Sequence, residues 1–424
     1  MGKKLKANDW LVKNSIDVPF FIIIITLMTV GLTMLLSSSY IYAFHYSGSG
    51  DSLYYFKRQL AFAVSGIVIM LILSAFNYHK LKLVINIGLI FAYGLLLFTV
   101  ISGGGEGINR WIELGPLSLQ PSEVTKIMLI LFLANGLDRD RKKIVSNAPS
   151  NAWWALKINE LFRGKFKITS ATSTMFFYLF VVGVTAVLVL AGSHLSGAIL
   201  IMLIGITMLW IGECKWQWFA VGGVIVAVVF VFVYFNYEDL PLKEYMIERI
   251  KAWRIKDFDP GDARWQINNS LNALGSGGLL GAGIGNSKQK YLYIPESHTD
   301  FIFAIIGEEL GFVGCVLILL GYAVLILRGI YIGMRARDRF GALLAFGMSA
   351  QIALQVIFNV AVVTDTVPNT GIGLPFFSYG GSALWMAFTE MGIVLSVSRQ
   401  ADLPKIYSFK KETKREKLQN KRTV

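Results

Sequence analysis

Apolar runs of roughly 17–25 residues, nearly free of charge, recur along this chain, and each is long enough to cross a ~30 Å hydrocarbon layer as a helix. Hydrophobic residues make up 54% of the 424 positions and the mean hydropathy is +0.56. Soluble domains are about 45–50% apolar, so the clustering of these residues matters more than their total. The pattern specifies an all-α, polytopic integral membrane protein. Ten spans are expected, near Val18–Tyr40, Leu60–Phe76, Leu81–Ile101, Ser122–Leu137, Ala171–Ala191, His194–Gly212, Trp216–Asn236, Asp300–Leu327, Gly341–Thr364 and Ser382–Ser398. The first run is too long for a signal-peptide core and is expected to remain as a helix.

Lys and Arg in short loops orient such a bundle. Lys3, Lys4, Lys6 and Lys13, Lys80 and Lys82, the basic segment from Arg139 to Lys167, Lys215, and Arg328 to Arg339 fall on one side with the tail from Arg399. The opposite short loops offer little beyond Lys57, Arg58 and Arg110. Both termini are therefore expected in the cytoplasm. Residues 1–17 form an N-terminal tail, 18–398 the ten-helix domain with a large outer loop at 237–299, and 399–424 a basic C-terminal tail.

The net charge of +13 is largely topogenic or concentrated in KKETKREKLQNKR, and no aromatic-rich basic groove suggests nucleic acid. Cys214 and Cys315 make no disulfide framework, and four scattered His residues give no zinc pattern.

Ionisable groups inside spans mark sites, because each needs a cavity or a partner. Glu123 and Lys126 stand one helical turn apart in QPSEVTK, either as a structural ion pair or as part of a site, with Arg110 just outside. Gln351, Gln355 and Asn359 drift only ~40° per step and form one polar stripe, which serves as interhelical glue or lines a cavity. It leads to VPNTGIGLPFFSYGGSA, whose prolines and glycines forbid a regular helix; irregular backbone at that depth must be protein-buried or wet.

The run PESHTDFIFAIIGEELG carries Asp300, Glu308 and Glu309. Glu308 would lie about 12 Å deeper than Asp300, and Glu309 ~180° around the helix, so the three cannot converge on one ion. The two glutamates are expected to brace the bundle through polar or cationic partners. Asp300 reads either as a helix cap or as the one acid placed to meet a substrate from outside. Ser297, His298 and Asp300 are weak evidence for a triad. In the outer loop, PLKEYMIERIKAW reads as an interfacial helix offering Tyr245, Met246, Ile250 and Trp253 to lipid, broken at Asp259-Pro260-Gly261. The glycine-rich stretch after it has no βαβ context for a dinucleotide and suits close backbone approach, and Lys288 and Lys290 place cations in the same loop as Asp300.

NRWIELGPLSLQPSE, SLNALGSGGLLGAGIGNSKQK, YIPESHTDFIFAIIGEELGFVG and LPFFSYGGS together closely resemble the SEDS family of shape, elongation, division and sporulation proteins, which includes FtsW, RodA and SpoVE. The resemblance covers nearly the whole chain, except Asp138–Ser170 and the tails, and leans to the FtsW/SpoVE branch. It implies a peptidoglycan glycosyltransferase that polymerises lipid II at the outer face of the bacterial plasma membrane. Implied partners are lipid II, the lipid-linked glycan strand, a class B penicillin-binding protein, and other divisome or sporulation membrane proteins. By resemblance Asp300 matches the essential carboxylate. Arg110, Glu123, Lys126 and Lys290 match further signature positions, and Ser378, Gly380 and Gly381 fall in SYGGS. AGSHLSG stands where many relatives have an acidic or amide residue with Pro, and Trp265 replaces a common Tyr before Gln266.

Joining a sugar hydroxyl to an anomeric carbon that leaves pyrophosphate needs a base and positive charge, not the two carboxylates of most glycosidases. Asp300 is the expected base. Arg110, Lys126, Lys288 and Lys290 are expected at pyrophosphate, with Glu123, Gln266, Ser270, His298, Gln355, Asn359, Ser378, Gly380 and Gly381 lining or supporting the cavity. A divalent cation, Mg2+ or Mn2+, is implied by the resemblance alone, with no metal ligand assigned. The rival readings are a lipid II flippase, against which no inverted repeat is visible, and a non-catalytic scaffold for a transpeptidase.

Overall fold

The computed structural model describes residues 10–12, 14–48, 50–102, 110–115, 117–161, 168–238, 244–254 and 263–401. Its elements are helical apart from one short hairpin. In order they are α1 (Val18–Tyr46), α2 (Tyr54–Ala75), α3 (Ile85–Ser102), β1 (Ile112–Leu114), β2 (Leu117–Leu119), α4 (Pro121–Arg139), α5 (Arg141–Val145), α6 (Trp153–Leu161), α7 (Ser170–Ala191) and α8 (Leu195–Ile211). Then come α9 (Trp216–Asn236), α10 (Glu244–Arg254), α11 (Ala263–Ser276), α12 (Ile302–Met334), α13 (Arg339–Val363) and α14 (Gly381–Gln400).

Among the described residues, eight helices are long and apolar enough to cross a membrane: α1, α2, α3, α7, α9, α12, α13 and α14. The other two expected spans exist as helices of a different character. α8 is apolar but 17 residues long, and α4 carries the Glu123–Lys126 pair. Asp17 starts α1 by accepting from the Phe20 N–H at 2.9 Å and also takes both arms of Arg328 in α12, so one side chain caps one helix and ties it to another. α14 packs along α2, α12 along α13 and α7 along α8, with α4 against α3, α8 and α13.

α12 is not continuous. Gly311 has φ 68° and ψ −170°, which breaks the helix two residues after Glu309. The glycine-rich loop repairs the break: Ala282 and Gly283 donate to the Glu308 and Glu309 carbonyls at 2.9 and 3.0 Å, while Phe312 and Val313 donate to Gly278 and Leu279 at 2.9 and 3.1 Å. Any Cβ on Gly281 or Gly311 would collide with the opposite backbone, so both positions require glycine.

The outer loop differs from its expected role. α10 has Met246 buried, and Trp253 donates to the Asp365 carbonyl, so these two side chains engage protein; Ile250 is half-buried, and the Tyr245 side chain lies outside what is described. Arg264 of α11 also reaches the Asp365 carboxylate at 3.0 Å, and that buried ion pair fastens the outer helices to the end of α13. Asp259-Pro260-Gly261 and the C-terminal tail beyond residue 401 lie outside the described residues.

Candidate active site

The β1–β2 hairpin turns at Gly115 and leads through Gln120 into α4, placing Arg110 and the first turn of α4 on one wall of a cavity. Glu123, Lys126, His194, Asp300, Gln351, Gln355, Ser378, Tyr379 and Gly380 line the rest with their neighbours. Its volume is about 270 Å³, below the ~300–1,000 Å³ typical of pockets that enclose a drug-sized ligand. It suits a reacting headgroup with the remainder of the ligand outside.

Asp300 stands two residues ahead of α12 and does not cap it: the N-cap is Phe301, without a side-chain hydrogen bond. Three successive carbonyls around it are held. Tyr379 N–H donates to His298 O at 2.9 Å, Ser378 Oγ to Thr299 O at 2.6 Å, and Asn359 Nδ2 to Asp300 O at 2.8 Å. Among the described residues the Asp300 carboxylate itself accepts no hydrogen bond, which leaves it available to a ligand. Its Oδ2 lies against Gly371, where a Cβ would approach to 3.0 Å. The side chain is partly open to the cavity and otherwise enclosed by protein. Burial first, then the Glu296 charge, pushes its pKa up to about 6, against the opposing pull of Arg249 and Arg110.

The polar stripe of α13 holds the irregular loop. Gln355 Nε2 donates to Gly373 O at 3.1 Å, and Asn359 Nδ2 to Ile372 O at 2.7 Å. Gln59 of α2 clamps the far end, donating to Ser378 O and accepting from Gly380 N–H. The stripe is thus a loop clamp as well as a cavity wall. Glu123 and Lys126 form a buried pair at 2.9 Å facing the same space.

Other expected site residues sit elsewhere. Lys290 is buried and donates to Glu309 at 3.0 Å, Ser37 at 3.1 Å and Gly285 O at 2.6 Å, so its charge is already matched away from the cavity lining. Lys288 contributes its backbone N–H to Glu308, with an exposed side chain outside that lining. The geometry corrects the expectation for both: the loop lysines belong to the bracing of α12 by Glu308 and Glu309. Gln266 accepts from Asn369, and Ser270 donates to Val363 O; both support the outer shell without lining the cavity. Gly381 begins α14 behind the lining.

His298 is no triad member. Its ring packs among Tyr42, Tyr55 and Tyr379 at centroid distances of 4.8, 4.4 and 5.8 Å, and burial lowers its pKa to about 4. The ring anchors the segment that carries Asp300.

Sequence reading passed over His194, Arg249 and Glu390. His194, from AGSHLSG, is buried in the wall with Nδ1 3.1 Å from Ser122 Oγ; burial, then Arg110, Lys126 and Arg249, lowers its pKa to about 3, so it is neutral. Arg249 of α10, outside the cavity lining, acts electrostatically on both Asp300 and His194, so a third cation influences the site. Glu390 lies within the tenth expected span, where an ionisable residue should itself have been the signal.

A divalent cation finds no ready cage. Among the described residues, no group of three or more His, Cys, Asp or Glu side chains could hold a metal. Of the acids lining the cavity, Glu123 is paired with Lys126, leaving Glu296 and Asp300.

A many-helix membrane bundle enclosing a cavity lined by Glu123, Glu296, Asp300, Arg110 and Lys126 defines a multi-pass membrane protein with a polar, acid-and-cation site. The chain belongs to the FtsW/RodA/SpoVE family of cell cycle proteins, whose family model matches residues 18–403. It is 36% identical to stage V sporulation protein E of Bacillus subtilis (strain 168), covering 91% of this chain and 98% of that protein. It is 32% identical to a probable peptidoglycan glycosyltransferase FtsW of Geobacter sp. (strain M18), covering 90% and 96%. Among solved structures it resembles a chain of a peptidoglycan synthase complex that coordinates polymerization and crosslinking, with TM-score 0.66, 23% identity and coverage of 91% and 98%. The rod shape determining protein RodA of Thermus thermophilus matches with TM-score 0.59, 22% identity and coverage of 92% and 99%. At those identities the two structures establish the shared fold.

Proposed function

We propose that this protein is an inverting peptidoglycan glycosyltransferase that polymerises lipid II. The observation that carries the reading is the Asp300 carboxylate, held open in a cavity that also contains Arg110 and the Glu123–Lys126 pair. Asp300 accepts the proton from the GlcNAc 4-hydroxyl of lipid II. The freed oxygen pair attacks the anomeric carbon of the first sugar of the lipid-linked strand, and the bond to pyrophosphate breaks with its electrons going to the leaving phosphate. Arg110 and Lys126 stabilise that developing charge, with Arg249 as a further cation. No step is assigned to a metal, since among the described residues the acids do not assemble a cage for one.

The placement follows from loop charge: ten crossings including α4 and α8, both termini in the cytoplasm, and the cavity facing outward from the plasma membrane. Residues 18–398 are the membrane domain, with a basic tail beyond. A class B penicillin-binding protein is the proposed partner, as the resemblance to a synthase complex supports, with other divisome or sporulation proteins around it. Purified protein with labelled lipid II, with and without that partner, tests the activity. Glycan ladders support the enzyme; lipid II redistribution across liposomes without ladders makes it a flippase, and neither, even with the partner, makes it a scaffold.

A further inference from the structure

Glu390 lies in the middle of α14, fully buried, and neither carboxyl oxygen has a hydrogen-bond partner among the described residues. Gln351 of α13 lies beside it, and its carbonyl Oε1 is likewise buried without a donor. None of these three oxygens meets a donor in hydrogen-bond geometry, although the Gln351 amide is near enough to act on the Glu390 carboxyl, and nothing donates to the Gln351 carbonyl. The charged groups within reach of Glu390 are Lys126 and Glu123 on α4, already joined to each other at 2.9 Å; α13 contributes the uncharged amide. A lone carboxylate in such a place is strongly disfavoured.

One proton removes the deficit. A neutral carboxylic acid and a primary amide are complementary, because the acid O–H donates to the amide carbonyl while an amide N–H donates to the acid carbonyl. That pairing satisfies all three oxygens at once. Gln351 lines the cavity, as does Ala387 one turn nearer its outer end than Glu390.

We propose that Glu390 is a positioning residue, carried as the neutral acid, which locks the Gln351 amide into the cavity wall and keeps net negative charge from beneath the diphosphate site. The pairing stands on the burial of Glu390, the unpartnered oxygens of both side chains and the interaction between them; its effect on substrate rests on the reading of the reaction given above. An ionised Glu390 would turn two oxygens against the Gln351 carbonyl and compete with the ligand for Lys126.

Infrared difference spectra of purified wild type against Glu390→Gln at neutral pH read the proton directly. The proposal expects a protonated-carboxyl C=O stretch that disappears in the variant; a carboxylate difference instead would overturn it. In the polymerisation assay, Glu390→Gln keeps a two-bond side-chain pairing with Gln351 and is expected to stay near wild type in KM and kcat. Glu390→Leu loses the pairing and should raise KM about tenfold, with kcat much less affected. Equal impairment of both variants, or a Glu390→Leu enzyme that matches wild type, would refute the positioning role. If Glu390→Leu does not fold, the infrared result and Glu390→Gln decide. A wild type that makes no polymer would sink the reaction assignment while leaving the infrared test of the pairing intact.

Discussion

Asn359 Nδ2 lies 2.8 Å from the backbone carbonyl of Asp300 and 2.7 Å from that of Ile372, so one buried amide fixes both the acid-bearing segment and the loop opposite it. Its replacement by Leu leaves two buried carbonyls without that donor. Each unsatisfied group costs about 1–3 kcal/mol, and misplacing the base lowers the rate as well. Asn359→Leu is expected to lower the melting temperature and to reduce kcat by ~10–100-fold. Thermal unfolding followed by fluorescence, with steady-state polymerisation, measures both.

The pH profile should carry the signature of Asp300. A base works only when ionised, and burial holds this carboxyl at about 6. The kcat/KM is therefore expected to be full above that value and to fall about tenfold per unit below it. A limb near the ordinary carboxylate range of ~4 would assign the step to another group.

Lys126 and Glu123 test whether their pair is structural, catalytic or both. Lys126→Met strands a buried carboxylate, and breaking a buried pair costs about 3–5 kcal/mol. The double variant Glu123→Gln with Lys126→Met should recover much of the lost stability. If Lys126 serves pyrophosphate, polymerisation stays low in the double variant despite the recovered fold.

Lys290 should behave differently. Its ammonium belongs to Glu309, Ser37 and Gly285, so Lys290→Met is expected to destabilise the protein by about 3 kcal/mol while leaving the KM of the folded fraction near wild type. A large KM increase with unchanged stability would return Lys290 to the substrate site.

Gly311→Ala tests the spliced helix. The residue is left-handed, and an added Cβ would collide with the Gly281 nitrogen and Leu279 carbonyl. Loss of monodisperse protein in fluorescence-detected size exclusion is expected; wild-type behaviour would mean that the break is not needed.

Much of the fold was legible because hydrocarbon imposes one rule on every span: long apolar runs become helices. The angular argument that kept Asp300, Glu308 and Glu309 apart also held, and the glutamates found polar and cationic partners in Ser287 and Lys290. The position of Lys290 was not legible because linear proximity to Asp300 says nothing of the break at Gly311, which draws the glycine loop inward and brings the lysine to Glu309. His194 in the cavity wall and Arg249 outside the lining come from elements remote in sequence, and only tertiary packing unites them with Asp300. The α13 stripe was read correctly as one face, but its clamping of the loop at Ile372 and Gly373 is a tertiary fact that no spacing contains.

The most direct measurement compares wild type and Asp300→Asn in polymerisation of labelled lipid II with the partner present, alongside melting temperature and lipid II binding. Wild type is expected to give glycan ladders. The variant is expected to bind and fold normally while making none, since it keeps the shape and loses the base. Ladders of normal length and rate from Asp300→Asn would contradict the account at its centre.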